Sequence, residues 1–250
     1  MHLTLTLSVS GDGLRLPTQY NYWIQSAIYN ILHPEYAGRL HDEGYSGGGR
    51  IFRLFTFSRL MGSYRLDRQS GTISFAGPVR LVIASPMAEF CEQVASVLVK
   101  EGRLKLGSQR VEVEKVEAAS PRITSSTVEV SALSPITVYS TCDKPDGKKY
   151  TCYFDPRERP FSDQVHENLT RKWEAIHGEP YYGETTMIEP LGKTRQHILR
   201  YKGTVIKAWS GRFRLQGDPA LMQVGIDAGF GAKNAQGFGL CALLGDGAVR

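Results

Sequence analysis

The order of predicted strands and helices repeats along the chain, and this repeat constrains the fold more than any other feature of the sequence. Residues 3–9 and 127–133 each alternate apolar and polar side chains, a pattern typical of a half-buried strand. In each half, helical and strand patterns follow that would complete the order β-α-β-β-α-β. The sequence therefore predicts an α+β chain of two tandem ferredoxin-like domains, comprising residues 1–120 and 121–250.

In the first half, apolar residues recur at helical spacing from Tyr22 to Leu32, with Thr18 as the predicted N-cap. This helix should end before Pro34, because a residue that precedes proline avoids the α-helical region. The glycine-rich run 44–49 is expected to be flexible. The remaining predicted elements are strands at 51–60, 72–84 and 104–116, and a helix that opens at Pro86 and stops at Gly102.

The second half follows a short linker at residues 118–121 and includes an additional polar hairpin that turns at residues 145–148. Large apolar residues from Phe161 to Ile176 lie at helical spacing and predict a long helix that ends at Gly178. The other predicted elements are strands at 185–188 and 201–215, a short helix at 219–228 and a last strand at 238–244.

Composition excludes several classes of protein. The 250 residues are 41% hydrophobic, which is ordinary for a globular chain and argues against a disordered or collagen-like one. No apolar run approaches the ~20 residues of a membrane helix, and the first residues do not resemble a signal peptide. We therefore expect a cytoplasmic protein without a membrane partner. The net charge of +5 permits a polyanionic partner without requiring one.

The four cysteines, Cys91, Cys142, Cys152 and Cys241, form no C-x-x-C pair. The histidines supply no H-x₃₋₅-H unit near them, so we expect no zinc site and no bound metal or cofactor. Cys142 and Cys152 flank the polar hairpin, where a bridge is conceivable. Reduced thiols are the better prediction for a protein without a secretory signal.

The most distinctive local motif is Gly-Phe-Gly twice in succession, at residues 229–231 and 237–239, separated by a polar stretch with Lys233 and Asn234. Glycines allow a backbone to approach a ligand closely, and bare amides beside a lysine can cradle phosphates. A tight turn between a helix and a strand is the alternative interpretation. The motif matches neither the dinucleotide fingerprint nor a P-loop. Gly192-Lys193-Thr194 also fails as a P-loop because Met187 occupies the first glycine position, which disfavours a nucleotide-dependent enzyme.

Together with the tandem ferredoxin-like pattern, this motif resembles the repeat-associated (RAMP) superfamily. Within that superfamily the chain resembles the CRISPR repeat-cleaving endoribonucleases, the Cas-six family, over essentially its whole length. The supporting stretches are Tyr20-Asn21-Tyr22 to Ile28-Tyr29-Asn30-Ile31, Leu40-His41-Asp42-Glu43-Gly44, Leu54-Phe55-Thr56-Phe57-Ser58 and Leu133-Ser134-Pro135-Ile136.

The resemblance implies an acid/base histidine at His41, a tyrosine at Tyr29 and a cationic partner at Arg53. Metal-independent RNA cleavage uses the 2′-hydroxyl of the RNA as nucleophile, and histidine suits the proton transfers because imidazole has a pKa near ~6.5. Where relatives carry lysine before Leu-Phe-Thr, this chain has Arg53, which binds phosphate well but is a poor proton donor. Arg50 is an alternative cation, and His33 is an alternative histidine.

The residues alone leave other roles open for these side chains. His41 stands beside Asp42 and could simply pair with it, and Tyr29 shares its helix with apolar neighbours, as a core tyrosine would. Basic and aromatic residues alternate near the predicted strand pair, which suits phosphate contacts and base stacking or a charged outer face. The predicted RNA-binding residues are Arg39, Arg50, Lys202, Lys207, Arg212, Arg214, Gly229, Gly231, Lys233, Asn234, Gly237 and Gly239.

By this resemblance we expect an enzyme that binds CRISPR repeat RNA in precursor crRNA. It should leave 5′-hydroxyl and 2′,3′-cyclic phosphate ends and require neither metal nor cofactor. The main alternative is a non-catalytic repeat-RNA-binding subunit of a CRISPR effector complex. A homodimer or membership of such a complex is compatible with either function.

Overall fold

The computed structural model describes residues 1–9, 13–143, 147 and 149–245. The α-helices of this part are α1 Asn21–Ile31, α2 Pro34–Asp42, α3 Ala88–Glu101, α4 Arg159–His177 and α5 Pro219–Ala228. The strands are β1 His2–Ser8, β2 Leu14–Pro17, β3 Tyr45–Gly47, β4 Arg50–Phe52, β5 Thr56–Phe57, β6 Met61–Asp67, β7 Thr72–Ala84, β8 Arg103–Leu106, β9 Gln109–Ala119, β10 Thr127–Ala132, β11 Tyr139–Asp143, β12 Lys149–Tyr153, β13 Met187–Tyr201, β14 Thr204–Gln216 and β15 Cys241–Leu244. Among the described residues, none of the helices has both the length and the apolar content needed to cross a membrane.

The first sheet has β1 in its interior, paired antiparallel with β7 on one side and β9 on the other. The strand order is β2-β7-β1-β9-β8, and β5 and β6 also pair with β7. Leu3, Leu5 and Leu7 of β1 are fully buried and belong to one core with residues of α1 and α3. Apolar residues at every second position of β1 thus face the two helices, as the alternating pattern predicts.

The second sheet repeats this arrangement with the order β13-β14-β10-β15. Strand β10, in the interior of this sheet, pairs antiparallel with β14 and β15. Phe161, Val165 and Leu169 of α4 are fully buried and pack in one core with Phe213 of β14. In the first sheet β1 lies between β7, which precedes α3, and β9, which follows α3 and β8; in the second sheet β10 lies between β14, which precedes α5, and β15, which follows it. The prediction of tandem ferredoxin-like folds is therefore confirmed.

The boundaries of α1 and α2 depend on a single proline. His33 adopts an extended conformation, with φ −55° and ψ 134°, because the ring of Pro34 excludes the α region for the residue before it. Pro34 then occupies the first turn of α2, where no amide donor is needed. The predicted N-cap Thr18 is wrong. Its amide donates to Gly71 O at 2.9 Å in a turn, and α1 begins after Tyr20 without a side-chain cap.

The segment predicted to be flexible, residues 44–49, is largely a hairpin. Strands β3 and β4 pair antiparallel around Gly48 and Gly49, whose φ values of +53° and +70° suit a two-residue turn. A Cβ at Gly47 would overlap the carbonyl oxygen of Arg171, so the hairpin packs directly on α4 of the second half. The strand predicted at 51–60 is accordingly broken, and Leu54 at the break has φ +47°.

The segment 192–194 and the four cysteines adopt the structures expected from the sequence. Gly192, Lys193 and Thr194 lie at a register shift within β13 rather than in a loop before a helix, so no P-loop forms there. All four cysteines are free thiols. Cys142 and Cys152 are not opposite one another in the β11–β12 hairpin, because Cys142 pairs with Tyr150 and Cys152 with Ser140.

A polar contact around His197 joins the two halves. The Arg59 guanidinium, which follows β5, lies 3.4 Å from His197 Nδ1, and His197 Nε2 is 2.7 Å from Ser210 Oγ. Burial, together with the charges of Arg59 and Arg195, lowers the pKa of His197 to about 4. The imidazole is therefore neutral at neutral pH and joins β13, β14 and the first half without carrying charge.

We expect the advantage in unfolding free energy of the wild type over His197→Gln to shrink as the pH falls from 7 to 4.5. Unfolded His197 takes up a proton near its ordinary pKa of 6.5, whereas the folded form resists protonation down to about 4. The loss should be about 1 kcal/mol, reduced from the full linkage value because the ring is half exposed. Urea denaturation at several pH values measures it. A difference that is independent of pH, or an equal trend in the exposed-site control His33→Gln, would contradict this expectation.

Candidate active site at the cleft between the halves

A cleft of about 560 Å³ lies where the two halves meet. One side is formed by α1, the end of α2 and the segment 50–55 of the first half. The other side is formed by α4, the turn between β13 and β14, and the glycine-rich loop, residues 229–239, which follows α5. Residues that are distant in sequence are therefore brought to one surface.

His41 lies in the last turn of α2 and lines this cleft. Its side chain is 73% exposed, and its Nδ1 lies 2.7 Å from Asp42 Oδ1. Within the described residues, no hydrogen-bond partner is found for Nε2. The carboxylate favours a proton on Nδ1, which leaves Nε2 able to accept or return a proton in the cleft. The pairing with Asp42 thus orients the imidazole and keeps one nitrogen free for chemistry.

Tyr29 of α1 combines packing with access to the cleft. Its ring meets Phe55 edge-on at a centroid distance of 5.7 Å and meets the His41 ring in the same way at 5.9 Å. Burial raises the pKa of Tyr29, and the nearby Arg53 guanidinium opposes that rise. The hydroxyl therefore keeps its proton at neutral pH and can donate it in a hydrogen bond.

Arg53 is the cation closest to this pair. Its guanidinium donates to the carbonyl oxygen of His41 and also faces the hydroxyl of Tyr29. Arg50, the other candidate, lies on the exposed hairpin strand β4 and lines the cleft, and the described residues show no hydrogen bond from its side chain to His41 or Tyr29. The structure therefore brings Tyr29, His41 and Arg53 together, with Arg50 beside them.

The glycine-rich loop is an ordered part of the cleft wall. Asn234 Nδ2 donates to Phe230 O and Phe238 O, at 3.2 and 3.0 Å, and so fastens the two Gly-Phe-Gly units to each other. Asn21 and Gln25 of α1 donate to the carbonyls of Gln236 and Ala235, each at 2.8 Å. The loop is therefore held on both sides, by its own asparagine and by the first half.

The expectation that bare loop amides form a phosphate nest is wrong for most of the loop. Backbone amides at six of its positions donate to carbonyls within the protein, which leaves them unavailable to an anion. These amides belong to Gly229, Phe230, Ala232, Gln236, Gly237 and Gly239. Lys233, whose Nζ lies 5.2 Å from the centre of the Tyr139 ring, is the cation that this loop presents to the cleft.

Helix α4 supplies a polar wall that the sequence did not predict. Gln164, Asn168, Arg171 and Lys172 line the cleft. Arg171 is held by the i−4 carboxylate of Glu167, and Lys172 is fully buried. Helical spacing could have predicted the burial of Lys172. It follows Val165 by seven residues and Leu169 by three, and so lies on the apolar face of the helix.

Family models match both halves of the chain. The model described as CRISPR associated protein Cas6, C-terminal, covers residues 114–243, and that described as CRISPR-associated protein Cas6, N-terminal, covers residues 15–117. The chain belongs to the Cas6 family.

Relatives and a solved structure extend over nearly all of this Cas6-family chain. A Methanocaldococcus jannaschii protein named CRISPR-associated endoribonuclease Cas6 1 is 31% identical over 92% of this chain and 88% of its own length. A Pyrococcus furiosus protein named CRISPR-associated endoribonuclease Cas6 is 26% identical over 94% and 86%. A solved structure called CRISPR associated protein Cas6 matches with TM-score 0.79 and 30% identity, covering 98% and 99% of the two chains.

The other basic residues predicted for this Cas6-family chain lie in different places. Lys202 lines the cleft, with its Nζ 4.9 Å from the centre of the Tyr22 ring. Arg39 is on the exposed side of α2, 3.6 Å from Glu89, and does not line the cleft. Arg212 and Arg214 lie on the solvent face of β14 with Glu129 of β10, at 3.1 and 4.0 Å. Lys207 is exposed on β14 and lies outside the cleft lining. Gly229, Gly237 and Gly239 are buried and also lie outside the lining, whereas Gly231 and Asn234 belong to it.

Two side-chain oxygens in the cleft wall have no partner. Asn168 Oδ1 and Gln236 Oε1 are buried from solvent and accept no hydrogen bond from the described residues. Leaving such an acceptor unpaired costs about 1–3 kcal/mol, so these two oxygens lower the stability of the wall. The described residues contain no group of three or more His, Cys, Asp or Glu side chains placed to hold a metal ion.

Gly231→Ala should destabilise the protein by about 2–3 kcal/mol, because Gly231 has φ +68° and an added Cβ would lie 2.5 Å from Thr137 O. The matched control is Gly192→Ala, where φ is +79° but an added Cβ meets nothing within 4 Å. That variant bears only the backbone strain, about 1–2 kcal/mol. Thermal and urea unfolding compare the two. Equal losses would contradict a tightly packed loop.

Proposed function

We propose that this Cas6-family protein is an endoribonuclease that binds CRISPR repeat RNA in precursor crRNA and cuts it once per repeat. The observation that carries the proposal is the adjacency of His41, Tyr29 and Arg53 in a cleft that both halves line. Two relatives that span most of the chain are named CRISPR-associated endoribonucleases, which supports the same activity here. We assign the chemistry to residues 1–120 and much of the RNA contact to residues 121–250.

The reaction that suits these groups is attack by a 2′-hydroxyl on the adjacent phosphate. His41 Nε2 accepts the proton of the 2′-hydroxyl while its oxygen bonds to phosphorus, and the bond from phosphorus to the 5′-oxygen breaks. The leaving oxygen takes up a proton from water and the protonated His41 returns its proton to the solvent, which gives a 5′-hydroxyl, a 2′,3′-cyclic phosphate and a neutral histidine. Every atom of the new bond comes from the RNA, so we propose that the protein acts through proton transfer and charge stabilisation without a metal.

Tyr29 and Arg53 have different parts in this proposal. The phenol keeps its proton at neutral pH and donates a hydrogen bond to a phosphate oxygen. The guanidinium neutralises the negative charge that grows on the phosphorane, and it stays charged throughout because arginine is too weak an acid to give up its proton. Arg50 on the hairpin contacts the backbone of the RNA further from the reacting phosphate.

The cleft also fits a single RNA strand on either side of this phosphate. Arg171, Lys202 and Lys233 supply positive charge along its wall, and Tyr22 beside Lys202 offers an aromatic face that is 45% exposed. An aromatic face beside a cation suits a base stacked next to its phosphate, which supports a nucleic acid as the ligand rather than a polyanion without bases.

His41→Ala should lower the single-turnover cleavage rate of repeat RNA at least 10²-fold and leave the dissociation constant within about threefold, because it removes the proton-transfer group only. The matched control is His33→Ala. His33 precedes α2, lies outside the cleft lining and makes its backbone contact with Gln93. That variant should cleave like the wild type. RNA binding without cleavage by the wild type would contradict the enzyme and favour a binding subunit, and full activity of His41→Ala would place the proton transfer on another residue.

A further inference from the structure

The C-terminal half contains a buried lysine whose polar contacts go to the glycine-rich loop. The Lys172 side chain is 1% exposed, and its Nζ donates to Gly229 O at 2.5 Å and to Gly231 O at 3.1 Å. Among the described residues, no carboxylate lies within ion-pair distance of this amine. The contact joins the middle of α4 to the loop, 57 and 59 residues later in the sequence.

Burial without a counter-ion makes this position costly for a lysine. It lowers the pKa of Lys172 to about 7, so that the ammonium form is only partly populated at neutral pH. A methionine of similar length would pack with Val165 and Leu169 without that penalty. The stability of α4 therefore does not explain why a lysine occupies this position. The two hydrogen bonds that Lys172 donates to the loop do explain it.

We propose that Lys172 is a positioning residue that holds the glycine-rich loop in the conformation that receives RNA, an inference that rests on the proposed function. The carbonyls of Gly229 and Gly231 flank Phe230, and the amine between them fixes the first Gly-Phe-Gly unit onto α4. Lys233 follows two residues later and is thereby held at the cleft. Without the amine both carbonyls lose their donor, and the loop gains alternative conformations.

The chemistry should be separable from this effect. His41, Tyr29 and Arg53 belong to the first half, and Lys172 contacts none of them through a hydrogen bond in the described structure. Loss of the amine should lower the affinity for RNA. The cleavage step should keep its rate once the RNA is bound.

The test compares Lys172→Met with Lys100→Met, which removes the same charge from an exposed position at the end of α3. For Lys172→Met we expect a dissociation constant for uncleavable 2′-deoxy repeat RNA about tenfold higher, and a single-turnover rate constant at saturating RNA within twofold. Amides of residues 229–239 in the RNA-free protein should exchange with deuterium at least tenfold faster. Lys100→Met should match the wild type in all three measurements.

An unchanged affinity and unchanged loop exchange in folded Lys172→Met would overturn the proposal, as would a lower rate constant with unchanged affinity. If Lys172→Met does not fold, Lys172→Gln retains a shorter donor and should give an intermediate effect. The wild type provides an independent check. Loop amides that exchange far faster than the amides of α4 would also overturn the proposal. Because exchange is measured without RNA, a wild type that fails to cleave would contradict the proposed function and leave this test valid.

Discussion

The hydrogen bonds between α1 and the glycine-rich loop are the contacts on which the cleft depends. Asn21 and Gln25 donate to loop carbonyls across more than 200 residues of sequence, and Thr56 Oγ1 donates to Phe238 O at 3.0 Å. Each half has its own sheet and core, and neither forms the cleft alone. The site exists because the loop of one half ends against the first helix of the other.

The same arrangement divides the residues that line the cleft between the two halves. His41, Tyr29 and Arg53, to which we assign the chemistry, occur on α2, on α1 and in the segment after β4, whereas α4 and the loop supply Arg171 and Lys233. The hairpin β3–β4 connects the two sets, since its close packing on α4 places Arg50 over the cleft. The packing between the halves therefore shapes the cleft as much as any single side chain does. Tyr29 packs on Phe55 and also faces His41.

Regular periodicity made the cores and many elements predictable. The strand predicted at 72–84 and the helix predicted at 219–228 match β7 and α5, because alternating or helical apolar patterns report burial directly. The prediction that the glycine run 44–49 is flexible was wrong, because glycines permit a tight hairpin as readily as a flexible segment. Arg212 and Arg214 lie outside the cleft lining, because composition does not reveal which face of a sheet borders a cleft; their contact with RNA stays a prediction. Lys172 was missed because a lysine is expected at a helix surface. The trio His41, Tyr29 and Arg53 came from family resemblance, which supplies the long-range placement that periodicity lacks.

In the mechanism that we propose, the RNA's own 2′-hydroxyl attacks the scissile phosphate and His41 accepts its proton. The direct test is single-turnover cleavage of a repeat RNA that carries one deoxyribose immediately 5′ to the scissile phosphate, beside an RNA with deoxyribose one nucleotide away. We expect the first substrate to bind normally and remain uncut. The second should be cut as fast as the all-ribose RNA, also in the presence of EDTA. Its products should carry 5′-hydroxyl and 2′,3′-cyclic phosphate ends. Cleavage of the first substrate, or products with a 5′-phosphate, would contradict this mechanism.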